Sequence, residues 1–148
     1  MSKNVMIGVG ILVIVIAGFL FFGGSTGNVV RLEMIEDGAV MKIPLSGIGG
    51  SAEFYDYQGT EFFVVRASDG SVKSAFNACD VCYRSKKGYR QEGGDMICNN
   101  CGNHYAIDGL GTKNLGGGGC WPGYLESFVE GDYLVITKSS LQAGSYRF

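Results

Sequence analysis

Four of the five cysteines fall in the segment CDVCYRSKKGYRQEGGDMICNNC (79–101), as two Cys-x2-Cys pairs with fifteen residues between them. This spacing is typical of a site in which four thiolates bind one metal centre. We therefore predict that Cys79, Cys82, Cys98 and Cys101 are metal ligands. Two disulfides are the alternative, but an odd number of cysteines and pairs spaced for a shared ion favour a metal. A thioredoxin-type redox pair is disfavoured, because the residues after the first pair have the composition of a loop rather than of a helix.

The N-terminus contains an apolar run of eighteen residues, VMIGVGILVIVIAGFLFF, at positions 5–22. Continued to Gly24 as a helix, it would span roughly the 30 Å of a bilayer's hydrocarbon core. We predict a transmembrane anchor over residues 1–24 and a short flexible linker over residues 25–28.

A cleaved signal peptide is the alternative for this run, because the small residues at 23–27 suit a peptidase. No cysteine follows the run, which disfavours a lipoprotein. Lys3 precedes the run and the first positive charge after it is Arg31. The positive-inside rule then predicts a cytoplasmic N-terminus and an extracytoplasmic domain in a single-pass protein of the cell membrane.

The rest of the chain, 29–148, has the pattern of one all-β domain, with short runs rich in Val, Ile, Phe and Tyr separated by turn sequences such as EDG and SDG. The predicted strands are Val29–Ile35, Ala39–Leu45, Glu53–Tyr57, Glu61–Ala67, Val72–Asn77, Asp95–Cys98, Tyr105–Ile107, Glu126–Val129 and Tyr133–Thr137. We expect hairpins over 29–45, 53–67 continuing into 72–77, and 126–137. The glycine-rich metal subdomain, about 79–122, interrupts them with only two predicted strands, so we expect it to need a metal or disulfides to order it.

Two further residues are candidates for the metal site. Cys120 lies in GGGGCWPG, which lacks the Gly-Lys-Ser/Thr ending of a phosphate loop. It is either a further ligand or an inert buried thiol. His104, the only histidine, follows Cys101 by three residues. Because it would have to displace a thiolate to bind the metal, we expect it beside the site.

Four basic residues lie between the cysteine pairs: Arg84, Lys86, Lys87 and Arg90. Cations near an anionic thiolate site would stabilise a reduced state and form a docking face for an acidic redox partner. A solvated loop is the alternative. For the whole chain, a net charge of −2 and a pI near 5.3 give no general attraction to nucleic acid.

Three segments resemble a Rieske-type domain in the order of their strands, turns and cysteine pairs: FFVVRASDGSVKSAFNACDVC, GGDMICNNCGNHYAIDG and GGGGCWPGYLESFVEGDYLVI. More closely, the apolar N-terminus and the A-C-D-x-C, C-x-x-C-G-N and G-G-C-x-P elements resemble the FtrD-like family of membrane iron-sulfur proteins, which is associated with iron uptake. The resemblance covers roughly residues 30–148. It implies a Rieske-like antiparallel β-sandwich with a rubredoxin- or zinc-ribbon-like metal subdomain, and it places Cys120 in the loop covering the metal. Many members carry several membrane spans whereas this chain has one, so transport activity is not implied.

The ligands differ from those of a Rieske centre, because cysteine replaces both histidines and the first pair is one residue longer. All-thiolate ligation lowers the potential by on the order of hundreds of millivolts. We therefore predict a low-potential one-electron centre, either a [2Fe–2S] cluster or a single iron. Zinc fits the same four sulfurs.

The leading functional hypothesis is a membrane-anchored electron carrier that serves an iron-uptake or respiratory system and works with a redox partner protein or a membrane permease. The sequence contains no recognisable nucleophile and base motif, so we do not expect an enzyme. One alternative is a structural or interaction domain stabilised by zinc. Another is a metal-handling accessory protein in which Cys120, His104 and a cysteine of one of the pairs capture iron or copper for a transporter.

Overall fold

A computed structural model describes residues 35–111 and 119–148. Within these ranges the chain forms ten β-strands and one α-helix, joined by turns and four short 3-10 segments. The strands are β1 (Ile35–Asp37), β2 (Val40–Pro44), β3 (Glu53–Tyr57), β4 (Thr60–Arg66), β5 (Val72–Phe76), β6 (Tyr89–Glu92), β7 (Asp95–Cys98), β8 (His104–Ala106), β9 (Phe128–Glu130) and β10 (Tyr133–Thr137). The helix α1 is Lys138–Gly144, and the 3-10 segments are Leu45–Gly47, Tyr83–Ser85, Ile107–Gly109 and Ser145–Arg147.

The strands form three small antiparallel sheets. The first sheet has the order β1-β2-β10-β9, the second β3-β4-β5 and the third β6-β7-β8. Most neighbours are consecutive hairpin strands, but β10 pairs with β2, with Tyr133 opposite Pro44 and Thr137 opposite Val40. The C-terminal hairpin is thereby joined to the first hairpin of the described residues.

Strand β4 lies at the centre of the molecule. Its residues Phe62, Phe63, Val64 and Val65 are each 0% exposed. Because successive side chains of a strand point to opposite faces, Phe62 and Val64 pack against the first sheet, whereas Phe63 and Val65 pack against the third. The second sheet is therefore the middle layer between two hydrophobic cores. The core on the side of the third sheet contains Cys79, Cys98 and Cys120.

The all-β prediction is confirmed in its main point, because strands are the main regular structure of the described residues, and the predicted hairpins at 53–77 and 126–137 form. The described residues of the metal subdomain form three strands rather than two, because β6 was not predicted. Its sequence, YRQE, is polar, and it is a strand because the Gly93–Gly94 turn folds it against β7. The first turn lies at Gly38 and Ala39 rather than at 36–38.

The helix α1 was also not predicted. It begins after Thr137, whose Oγ1 accepts a hydrogen bond from the N–H of Ser140 at 3.0 Å. This is an N-cap, which offsets the unpaired N–H groups of the first turn. With seven residues, the helix is too short to give a clear hydrophobic period in the sequence.

The predicted anchor (1–24) and linker (25–28), and residues 29–34 of the first predicted strand, lie outside the described residues. In the described ranges, no helix combines the length and the apolar character that crossing a membrane requires.

The packing of α1 against β5 gives a first testable prediction. A Cβ added at Gly144 would lie 2.1 Å from the ring carbon Cζ of Phe76, a distance that real contacts do not reach. We expect Gly144→Ala to lower the free energy of unfolding by about 1–3 kcal/mol, although alanine is the better helix former. Urea unfolding measures the effect. Gly50→Ala is the control, because its Cβ would meet nothing within 4 Å; equal stability of the two variants would contradict the packing described here.

Candidate metal centre

The first cysteine pair forms a tight turn after β5, which we call the first knuckle (79–82). The N–H of Cys82 donates to the Sγ of Cys79, with an N···S distance of 2.9 Å. The carbonyl oxygen of Cys82 accepts hydrogen bonds from the N–H and the Oγ of Ser85, at 2.9 and 2.7 Å. The backbone on both sides of Cys82 is therefore fixed by hydrogen bonds.

The first knuckle is also attached to the C-terminus. Asp80 accepts a hydrogen bond from the Tyr146 hydroxyl at 2.7 Å and forms an ion pair with Arg147, with an N···O distance of 2.7 Å. The hydrogen bond from Tyr146 has the largest effect on the pKa of Asp80 and holds it below its ordinary value. The hydrogen bond and positive charge of Arg147 lower this pKa further. The last residues of the chain thus help to position the first cysteine pair.

The second cysteine pair forms the second knuckle (98–101), which starts at the last residue of β7. Its turn closes through Gly102, whose N–H donates to the carbonyl oxygen of Cys98 at 2.8 Å. Gly102 has a φ of +75°, a conformation that favours glycine. The N–H of Cys98 donates to the carbonyl oxygen of Asn103 at 3.0 Å. The knuckle is therefore a closed backbone loop at the end of the third sheet.

Cys120 lies next to the two knuckles but belongs to a separate segment of the chain. Its N–H donates to the hydroxyl oxygen of Tyr105 at 2.8 Å, and its carbonyl oxygen accepts a hydrogen bond from the Tyr89 hydroxyl. Both tyrosines are buried, and they come from β8 and β6 of the third sheet. Two side chains of the same sheet therefore hold both peptide groups of Cys120.

Four sulfur atoms converge at this point. The Sγ atoms of Cys82, Cys98, Cys101 and Cys120 all lie within 4.8 Å of one another, and we call them the compact quartet. The sulfurs of Cys82 and Cys120 are 3.1 Å apart. All five cysteines are free thiols, with no disulfide among them. Three of the four predicted ligands belong to the compact quartet, Cys120 is its fourth member, and Cys79 is not in it.

The compact quartet lies at the surface of the domain. Cys98 and Cys120 are buried, Cys82 is partly exposed and Cys101 is exposed. Such a set of soft thiol donors fits zinc or iron, which tetrahedral thiolate sites select. A metal held here would contact the hydrophobic core through Cys98 and Cys120, and its ligands Cys82 and Cys101 would be in contact with solvent.

The metal-free thiols differ in acidity. A hydrogen bond with the Asn100 side chain, together with one from Cys120, lowers the pKa of the Cys82 thiol to about 7. Burial raises the pKa of Cys98, and burial together with the hydrogen bond to Cys82 raises the pKa of Cys120. Cys82 is therefore partly ionised at neutral pH, whereas Cys98 and Cys120 release their protons when a cation binds.

His104 lies at the rim of the third sheet. It is exposed, and its Nδ1 lies 3.2 Å from Oδ2 of Asp95. It is not in the compact quartet. The structure therefore pairs the imidazole with a carboxylate of the neighbouring strand.

The four basic residues between the knuckles differ in their surroundings. Arg90 forms an ion pair with Glu92 at 2.7 Å and donates to Asn99 at 2.9 Å. Arg84 donates to the hydroxyl oxygen of Tyr83 at 3.3 Å. Lys86 and Lys87 are exposed. Glu92 offsets the charge of Arg90, which leaves Arg84, Lys86 and Lys87 as the stronger contributors to a positive face.

Sequence reasoning missed the tyrosines that hold Cys120. Tyr89 and Tyr105 belong to no motif, and their role arises only when β6 and β8 flank β7 in the third sheet. It also missed Asn100, whose hydrogen bond influences Cys82. The position of Asn100 inside the second knuckle is the one signal that could have pointed to it.

Comparison with known proteins identifies the family. A search of the curated proteins gives no match, and a search of the solved structures gives none either. The family described as membrane iron-sulfur containing protein FtrD-like matches residues 49–148, which include all five cysteines. This match and the four converging thiols support a metal-binding iron-sulfur protein. The chain therefore belongs to the FtrD-like family of membrane iron-sulfur containing proteins, as its cysteine motifs predict.

Proposed function

We propose that this protein is a membrane-anchored electron carrier, in which a cysteine-ligated iron centre of the extracytoplasmic domain transfers one electron at a time. The observation that carries the proposal is the position of the compact quartet, whose four sulfurs converge at the surface with Cys101 exposed. A partner protein can approach such a centre closely. The system that it serves, in this proposal, is iron uptake or respiration, through a redox partner protein or a membrane permease.

The chain supplies ligands, backbone hydrogen bonds and burial, and iron, when bound, supplies the one-electron couple. The backbone N–H groups of Cys101 and Asn100 are directed at Cys98, a member of the compact quartet. Hydrogen bonds to sulfur and partial burial are among the factors that set the potential of such centres. The proposal includes the Rieske-like course of the domain, which its three small antiparallel sheets and two cysteine loops support.

The proposal is tested on the full chain, purified from membranes in detergent without air. We expect stoichiometric iron and a visible absorption that dithionite bleaches and an oxidant restores. The number of electrons taken up in a reductive titration should be one per centre. Acid-labile sulfide in the same sample separates a [2Fe–2S] cluster from a single iron.

A structural zinc site is the second candidate function, and the compactness of the quartet favours it. Zinc–sulfur bonds of about 2.3 Å place tetrahedral thiolates about 3.8 Å apart, and the four sulfurs here are already within 4.8 Å of one another. Colourless protein with one zinc and no iron would reject the electron carrier in favour of this function.

The docking face next to the centre is the second part of the proposal. Val81 of the first knuckle is 64% exposed, and Arg84, Lys86 and Lys87 follow it closely along the chain. An apolar contact beside exposed cations suits an acidic redox protein, because opposite charges speed the encounter of two proteins.

This face can be probed with ferricyanide, an anionic oxidant, as the acceptor. We expect Lys87→Glu to slow the oxidation of the reduced protein about threefold or more at low salt, and we expect added salt to remove the difference. Stopped-flow absorbance measures the rate. Lys73→Glu makes the same charge change on β5 and is the control. An equal effect of the two substitutions would show that only net charge matters and would refute the docking face.

A further inference from the structure

We propose that Cys120, and not Cys79, is the fourth thiolate ligand of the metal centre, and that Tyr89 and Tyr105 are the residues that position it. The ligand set is then the compact quartet, made of one cysteine from the first knuckle, two from the second and Cys120. The inference rests on the metal site of the proposed function but not on electron transfer.

The positions of the sulfurs favour this set. The Cys120 sulfur lies 3.1 Å from that of Cys82 and within 4.8 Å of those of Cys98 and Cys101. Tetrahedral thiolates around one ion are about 3.8 Å apart, so small side-chain rotations bring these four to a common metal. The Cys79 sulfur does not belong to this group of mutually close sulfurs.

The backbone of Cys120 is held in place by hydrogen bonds, and this is the second observation that favours Cys120 as a ligand. The Tyr105 oxygen accepts its N–H at 2.8 Å, and the Tyr89 hydroxyl donates to its carbonyl oxygen. Buried peptide groups need hydrogen-bond partners, and here both partners are side chains of the metal subdomain rather than neighbouring backbone. The two hydroxyls therefore fix the backbone position from which the Cys120 side chain extends.

Burial alone does not distinguish the two thiols. Cys79 is 1% exposed and Cys120 is 5% exposed, so both lie in the core beside the knuckles. They differ in geometry, and serine replacement at each position is a matched pair of substitutions of equal size. The pair therefore tests the ligand assignment with similar effects on packing.

The experiment loads the metal-free full chain with Co(II), which binds tetrahedral thiolate sites and absorbs in proportion to the number of sulfur ligands. We expect Cys79→Ser to keep the thiolate-to-cobalt absorption and the cobalt affinity of the parent protein. We expect Cys120→Ser to lose about one quarter of that absorption, since one of four thiolates is gone, and to bind cobalt at least about tenfold more weakly. Weaker binding by Cys79→Ser, or parent-like binding by Cys120→Ser, would overturn the assignment.

Tyrosine variants test the positioning role separately. We expect Tyr105→Phe to keep the four-thiolate cobalt spectrum but to release cobalt to a chelator about tenfold faster, because the residues that orient a ligand influence affinity on that scale. Tyr55→Phe is the control, since Tyr55 lies in the opposite core and its hydroxyl donates to Glu53. Equal release rates for the two variants would refute the positioning role. If the cobalt experiments give the expected results but the iron-loaded protein transfers no electrons, the proposed function is refuted and the ligand assignment stands.

Discussion

Cys98→Ser should lower the metal affinity of the protein by more than about 100-fold, because the loss of one of four thiolates removes a large share of the roughly 10–16 kcal/mol with which such sites bind. Cys98 belongs both to the ligand set predicted from the sequence and to the compact quartet. It is also the last residue of β7, the central strand of the third sheet. Its loss should therefore release the metal and destabilise the metal subdomain together.

Competition with a chromophoric chelator measures this loss, and circular dichroism reports whether the third sheet remains. His104→Gln is the matched control, because His104 lies on β8 of the same sheet and its imidazole is exposed and paired with Asp95. We expect the control to keep full metal occupancy. Stoichiometric metal in Cys98→Ser would show that the cysteines do not form the centre described here.

Phe63→Ala should lower the free energy of unfolding by about 3–5 kcal/mol, the range for emptying a buried phenylalanine site. Phe63 is fully buried, and its ring packs against those of Phe54 and Tyr89, with centroid distances of 5.5 and 6.5 Å. Because Tyr89 holds the carbonyl oxygen of Cys120, we also expect this variant to release the metal faster.

The neighbouring residue offers a control of the same size. Phe62 is equally buried but packs into the other core, where its ring stacks on Tyr55 at 5.2 Å. Phe62→Ala should lower the free energy of unfolding by a similar amount. The rate of metal release from the folded protein should stay close to the rate of the parent protein. Urea unfolding and chelator-driven release measure the two quantities. Equal acceleration of release by both substitutions would mean that the two cores do not act separately on the site.

Much of this arrangement follows from local sequence. The spacing of the two cysteine pairs predicts that they converge, and Cys82, Cys98 and Cys101 do so. Alternating apolar residues between turn sequences predict the hairpins of the second sheet and of the C-terminus. These signals depend only on residues close together in the chain, so they can be recognised without knowledge of the tertiary fold.

The remaining features depend on contacts between distant segments. The pairing of β10 with β2 joins residues about ninety positions apart, and no local pattern specifies it. The strand β6 is polar and forms because β7 offers it a partner. Cys120 belongs to the compact quartet because two tyrosines from a sheet that precedes it in the sequence hold its peptide groups. A single sequence gives no signal for such pairs.

The double burial of β4 links the metal to parts of the protein that never touch it. Neither core can open without exposing one face of the same strand, and Leu141 of α1 is in the core opposite the cysteines. Binding that stabilises only the native state protects every segment that opens together with the bound region. Amide hydrogens of the C-terminal helix should therefore exchange more slowly in the metal-loaded protein than in the empty one, and the helix becomes a remote reporter of occupancy.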